Sequence, residues 1–117
     1  MTKHKTPPAP DRSLVKGMAN GDAEALRELV RRHGATVYAL AYGILVDGDD
    51  AEGVVGETFD YAWRMAARFI ERASGSVFAW LTEIARSRAR GVLLAREWPG
   101  RLVPVRGRAG QRTMEVA

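Results

Sequence analysis

Apolar residues recur every three or four positions along most of the chain, the spacing of one face of an α-helix. One stripe lies in residues 23–46 and comprises Leu26, Leu29, Val30, Val37, Leu40, Ala41, Ile44 and Leu45. A second lies in residues 50–70 and comprises Ala51, Val54, Val55, Thr58, Phe59, Ala62, Trp63 and Ala66. A third lies in residues 77–96 and draws on Val77, Trp80, Leu81, Ile84, Ala85, Val92 and Leu93. The pattern predicts three long amphipathic helices.

Turn and capping residues separate these stripes. Asp11 is suited to the N-cap of a short helix over residues 11–19. Gly21 is suited to a left-handed turn after that helix, and Asp22 to capping the next one. The acidic turn at residues 47–50 precedes the third helix, and Ser76 is the predicted N-cap of the fourth.

The predicted fold is all-α: a compact bundle of three main helices plus a short N-terminal helix, over residues 11–97. No long strand-like alternation and no internal repeat accompanies the helical pattern. Residues 1–10 contain three prolines and no periodicity, which predicts a disordered leader. Residues 98–117 are rich in arginine and have no apolar stripe, which predicts a flexible basic tail.

Charge is unevenly distributed in this chain of net charge +4. Residues 22–60 hold nine acids against three arginines, whereas residues 86–112 hold eight arginines and one acid. This polarity predicts an acidic face for one partner and a basic face for another. The alternative is a basic tail beside an ordinary solvated helix.

The chemistry of an enzyme is absent from the sequence. His4 and His33 stand apart, and no glycine-rich phosphate loop or nucleophile elbow occurs. The acids of residues 47–52 lack the central glycine and terminal glutamate of a calcium loop. Without cysteine, the chain has no disulfide or thiolate metal site. We therefore expect no catalysis, no metal and no cofactor.

Neither a membrane span nor an export signal is evident in the sequence. No apolar run reaches the roughly 18 residues needed to cross a bilayer. The basic N-terminus is not followed by the apolar segment of a secretory signal. We expect a cytoplasmic protein.

Four short segments of the chain together carry more information than any one of them. The first is the segment GDAEALRELVRRHG at residues 21–34, which continues through VYALA at 37–41. The others are DAEGVVGETF at 50–59, GSVFAWL at 75–81 and IARSRA at 84–89. Each piece alone is common in helices, but all four occur in order at family-like spacing. Together they resemble region 2 of sigma factors of the extracytoplasmic-function group, and the resemblance covers roughly residues 12–96.

The resemblance implies that the third helix docks on the clamp helices of the β′ subunit of RNA polymerase. Carried onto this chain, the docking positions are Asp50, Glu52, Val55, Glu57 and Thr58. An acidic first turn around an apolar contact would give such a surface charge complementarity.

The resemblance also implies that the last loop and the fourth helix open the promoter −10 element and hold a flipped base. The corresponding positions are Arg72, Ser74, Ser76, Phe78, Trp80, Arg86 and Arg88. Arginines would meet phosphates, and small loop residues would admit a splayed base. Trp80 has a competing role in the core. Arg86, Arg88 and Arg90 cannot all share one helical face, since residues two apart point about 200° apart.

Three features depart from the family pattern. Gly53 and Gly56 stand where the family commonly has Asp and Gln, and Asp60 and Tyr61 replace an apolar–basic pair. The family's helix-turn-helix domain, which reads the −35 element, would follow Arg96, and residues 97–117 are too few for it. We expect no −35 recognition by this chain.

Three hypotheses remain. The first is a sigma-factor-like protein that binds the polymerase core and promoter −10 DNA, alone or with a separate region 4 protein. The second is a region-2-only regulator that binds polymerase or an anti-sigma partner without opening promoters. The third is a nonspecific basic DNA-binding helical protein that depends on the arginines of residues 98–117.

Overall fold

The computed structural model describes residues 8–72 and 74–97, which form four α-helices. These are α1 (Asp11–Ala19), α2 (Ala23–Leu45), α3 (Gly48–Arg72) and α4 (Val77–Glu97). No β-strand occurs in the two described ranges, so the predicted all-α bundle is confirmed. None of these helices is long and apolar enough to cross a membrane. Most of the predicted leader, residues 1–7, and the whole predicted tail, residues 98–117, lie outside the described residues.

Two of the predicted helix caps are present. The Asp22 carboxylate accepts hydrogen bonds from the backbone N–H groups of Glu24 and Ala25, at 3.0 and 3.4 Å. The Ser76 hydroxyl oxygen accepts one from the Ala79 N–H, at 3.0 Å. These three bonds pair N–H groups that the first turn of a helix leaves without an internal partner. Gly21 adopts the predicted positive φ, 84°.

The predicted cap of α1 and the predicted first residue of α3 are wrong. Asp11 is the first residue of α1 and not its cap, because its carboxylate turns toward Arg32 and His33 of α2. Helix α3 begins at Gly48, two residues earlier than predicted. It does so because the Asp47 carboxylate accepts the backbone N–H of Asp50, at 2.9 Å, and so stabilises an earlier first turn.

The core lies where the three long helices pack on one another, and α1 closes it by packing mainly against α2 and α3. The apolar stripes of the sequence supply it, together with α1 and three residues outside the predicted stripes: Ala25, Phe69 and Ala89. The largest fully buried side chains are Val15, Leu29, Val37, Val54, Thr58 and Leu81. Buried alanines on α3 and α4 allow these two helices to approach closely. The charged side chains on their outer faces are therefore near one another.

At each end of the bundle an arginine side chain bonds to a neighbouring helix. Arg12 of α1 donates to the Ile70 carbonyl near the end of α3, at 3.1 Å, and its guanidinium lies 5.4 Å from the Phe69 ring centroid. At the other end, Arg96 of α4 donates to the Leu45 carbonyl at 3.0 Å and to Asp50 at 2.7 Å. These contacts fix α4 against the start of α3.

Candidate functional site

A groove of about 700 Å³ runs along the surface between α3 and α4. Its lining residues are Glu57 and Tyr61 of α3 with Trp80, Glu83, Ile84, Ser87, Arg88, Gly91, Val92 and Ala95 of α4. Ser87, Gly91 and Ala95 are four residues apart and so lie on one face of α4. Because these side chains are small, the two helices leave open space there.

Arg88 is the principal cation of this groove. Its guanidinium carbon lies 5.2 Å from the centroid of the Tyr61 ring. Its Nη1 lies 3.8 Å from Oε1 of Glu57, the long end of ion-pair distance. The side chain is 30% exposed, so its cationic end still meets solvent in the groove.

A second, smaller groove of about 290 Å³ adjoins the first. It is lined by Tyr61, Met65, Arg68, Phe69, Arg72 and Trp80. Tyr61 and Trp80 line both grooves, so the two form one continuous surface. We call the residues that line either groove the α3–α4 surface.

Trp80 packs on the core, as one of its two predicted roles requires, and part of its side chain remains accessible. Its ring stacks on Phe69, with centroids 4.2 Å apart and an interplanar angle of 19°. This contact anchors one face of the indole to the core. The partly exposed side chain also lines both grooves. A planar ring held in this way is a rigid platform on which another flat group can stack.

The α3–α4 surface brings together three of the predicted DNA-binding residues: Arg72, Trp80 and Arg88. The other four lie elsewhere on the molecule. Ser74 and Ser76 are exposed in the loop, where Ser76 caps α4. Phe78 lies beside His33, with ring centroids 5.8 Å apart. Arg86 pairs with Glu83, at 3.1 Å.

Seven residues of this surface were predicted from the sequence neither as site residues nor as core: Met65, Arg68 and Phe69 of α3, and Glu83, Ser87, Gly91 and Ala95 of α4. Tyr61 was noted only as a departure from the family pattern. The available signal was the four-residue spacing of Arg64, Arg68 and Arg72, which puts three cations along one side of α3. That spacing does not reveal which helix lies beside them.

The first half of α3 exposes an acidic face, which we define as Asp49, Glu52, Gly53, Gly56, Glu57 and Asp60. Of the predicted polymerase contacts, Glu52 and Glu57 lie on this face. Val55 is only partly exposed and packs against the core. Asp50 is engaged in the ion pair with Arg96.

The prediction that Thr58 contacts polymerase is wrong for this fold. Its side chain is 0% exposed, and its hydroxyl donates to the Val54 carbonyl of the preceding turn, at 2.7 Å. Thr58 lies in register with Ala51, Val54 and Ala62, whose side chains face the core. A residue on that face cannot reach a partner without unfolding of the helix.

Gly53 and Gly56 leave the acidic face without side chains at two positions. A Cβ atom added at either would meet nothing within 4 Å, so no packing contact requires glycine there. Their effect is local: the surface between Glu52 and Glu57 has fewer atoms for a partner to contact.

A cluster of charged side chains joins α1 to the first half of α2. Asp11 accepts from Arg32 at 2.9 Å and lies 2.7 Å from Nε2 of His33. Glu28 accepts from Arg31 and from Arg32, at 2.6 and 3.0 Å. Hydrogen bonds from Arg31 and then Arg32 lower the pKa of Glu28 to about 2. The cluster fixes α1 on the bundle.

Comparison with known proteins places these features in a family. The sigma-70 region 2 family model matches residues 29–98. The RNA polymerase sigma factor NccH of Alcaligenes xylosoxydans is 33% identical over 86 residues, which are 73% of this chain and 45% of that protein. The RNA polymerase sigma-H factor of Pseudomonas aeruginosa is 30% identical over 86 residues, 74% of this chain and 44% of that protein.

The chain thus spans less than half the length of these curated relatives. No solved structure matches it. The family match nevertheless extends from Leu29, in the second turn of α2, through the whole of α3 and α4, which is more than half of the chain. The chain therefore belongs to the sigma-70 region 2 family, which is not a family of enzymes.

Proposed function

We propose that the chain acts in transcription initiation as a sigma-factor-like protein, which binds the RNA polymerase core and promoter −10 DNA. Membership of the sigma-70 region 2 family supports the general role. The observation that carries the DNA-binding half is the α3–α4 surface, where Tyr61, Trp80 and Arg88 line one open groove.

Unpaired DNA is the ligand that this surface fits best. Bases splayed from a strand stack on aromatic rings, each contributing about 1–3 kcal/mol, while arginines bind the backbone phosphates. Tyr61 and Trp80 supply the rings. Arg68 and Arg72 are exposed at the edge of the smaller groove, where a phosphate backbone would pass.

The acidic face supports the polymerase-binding half of the proposal. Glu52 and Glu57 are exposed within two turns of α3, and Val55, one turn after Glu52, provides a partly exposed apolar group. A basic partner helix would gain charge complementarity around an apolar contact. We assign this face to the clamp helices of the β′ subunit.

The proposal is tested by reconstitution with purified core polymerase and a template whose −10 region is already unpaired. We expect the chain to co-elute with polymerase and to stimulate transcripts from this template. Tyr61→Leu removes the aromatic platform and keeps apolar bulk, so it should weaken binding of the unpaired strand about tenfold. Co-elution with polymerase should persist for this variant.

Two further variants separate polymerase binding from DNA binding. Glu52→Arg reverses a charge on the acidic face and should abolish co-elution without weakening DNA binding. Arg27→Gln removes an exposed cation of α2, on a different helix, and should change neither. Absence of co-elution for the unmodified chain, or equal transcription by Tyr61→Leu, would contradict the proposal.

A second function is a regulator that occupies polymerase, or binds an anti-sigma partner, without opening promoters. The exposed Gly53 and Gly56 favour it, because they take side-chain atoms away from the face that we assign to polymerase. The same reconstitution distinguishes the two functions. Co-elution with polymerase but no transcript from the unpaired template would support the regulator.

A further inference from the structure

Glu57 belongs to two surfaces at once. It lies on the acidic face of α3 and also lines the α3–α4 groove. Within the groove its carboxylate is the ion-pair partner of Arg88, at 3.8 Å. The residue assigned to polymerase therefore directly contacts a residue assigned to DNA.

We propose that the Glu57 carboxylate competes with DNA phosphate for Arg88 and so weakens binding of an unpaired strand by this chain. This inference rests on the proposed function and adds a competing contact to it. A carboxylate beside the guanidinium satisfies its charge and repels an incoming phosphate.

The geometry suits a contact that is made and broken. The Glu57 and Arg88 side chains are 57% and 30% exposed, and such pairs contribute little stability in water. The Arg96–Asp50 pair, at 2.7 Å, has a shorter contact and is reinforced by the Leu45 carbonyl. Stacking on Tyr61 would keep Arg88 in the groove after Glu57 has turned away.

Other acids near the groove already have arginine partners on their own helices. Glu83 pairs with Arg86, at 3.1 Å, and Asp60 pairs with Arg64, at 3.1 Å. The Arg64 guanidinium also lies near the Tyr61 ring, 5.7 Å from its centroid. Of the three ion pairs Glu83–Arg86, Asp60–Arg64 and Glu57–Arg88, the last is the one that links α3 to α4.

The test measures binding of a dye-labelled single-stranded oligothymidylate to the full chain by fluorescence anisotropy at low salt. Glu57→Gln removes the competing charge and keeps the size of the side chain. We expect it to bind roughly two- to fivefold more tightly than the unmodified chain, the range expected for loss of a surface ion pair. Glu24→Gln is the matched control, because Glu24 also pairs with an arginine, Arg27, but on α2.

The same substitution in an Arg88→Gln background tests whether the effect passes through Arg88. We expect Glu57→Gln to give no further tightening there. A gain equal to that of Glu24→Gln, or a gain that persists without Arg88, would overturn the inference and leave the proposed DNA binding intact. Failure of every form to bind the oligonucleotide would instead contradict the DNA-binding half of the proposed function.

Discussion

Arg96 and Asp50 join the end of α4 to the start of α3, with Nη2 of Arg96 2.7 Å from Oδ2 of Asp50. The other terminal nitrogen of Arg96 donates to the Leu45 carbonyl at the end of α2. One side chain therefore holds three helix termini together. Asp50, predicted as a polymerase contact, has a structural role that the sequence did not indicate.

Replacing Arg96 should destabilise the bundle. We expect Arg96→Ala to lower the free energy of unfolding by about 1 kcal/mol, because a half-exposed ion pair and one hydrogen bond to a helix-end carbonyl are lost. Urea unfolding followed by circular dichroism measures the change. Arg90→Ala, at an exposed position on the same helix, is the control. An equal loss of unfolding free energy in the two variants would show that the contacts of Arg96 with Asp50 and Leu45 contribute nothing to stability.

Val46 occupies a left-handed backbone conformation, with φ 52° and ψ 42°, at the C-cap of α2. A β-branched residue is strained there, whereas glycine is not. The side chain is 69% exposed, so its loss removes little burial. We expect Val46→Gly to raise the free energy of unfolding by about 1 kcal/mol. Ala35→Gly, at an exposed position within α2, should instead lower it, and destabilisation by both would refute the strain argument.

Trp80 should contribute to stability through the face of its indole that stacks on Phe69, and to DNA binding through the rest of the ring. Trp80→Ala removes the stack on Phe69, and we expect it to lower the free energy of unfolding by about 2–3 kcal/mol, below the value for a fully buried tryptophan. Trp80→Phe retains an aromatic contact and should cost less than about 1.5 kcal/mol. Thermal unfolding measures the stability of each variant, and a parallel oligonucleotide titration measures its DNA binding. Loss of stability by both variants to the same extent would contradict this division.

Glu28 should make stability depend on pH in the acid range. Its pKa is lowered from 4.5 to about 2 in the folded protein by the hydrogen bonds from Arg31 and Arg32. Its contribution is therefore fully present above about pH 4.5 and is lost as the pH falls toward 2. We expect Glu28→Gln to flatten this part of the stability profile, measured by urea unfolding between these pH values. The profile of Glu24→Gln should keep the slope of the unmodified chain, and a slope unchanged in Glu28→Gln would contradict the assignment.

The sequence by itself determined the helices and the family. Spacing of apolar residues placed the three long helices to within two residues of their ends, and Asp22 and Ser76 marked two starts because capping is a local interaction. The family resemblance rested on short helical segments in a fixed order, and these need no knowledge of packing to be recognised.

Only the tertiary structure decided which side chains meet across helices. Periodicity placed Thr58 on the apolar face of α3 and the family resemblance placed it on the docking surface; burial settled the matter in favour of the core. The contact of Arg88 with Glu57 and Tyr61 depends on how α4 lies against α3. Helical periodicity fixes the face on which a residue lies, but the neighbour of that face is set by the packing of the whole bundle.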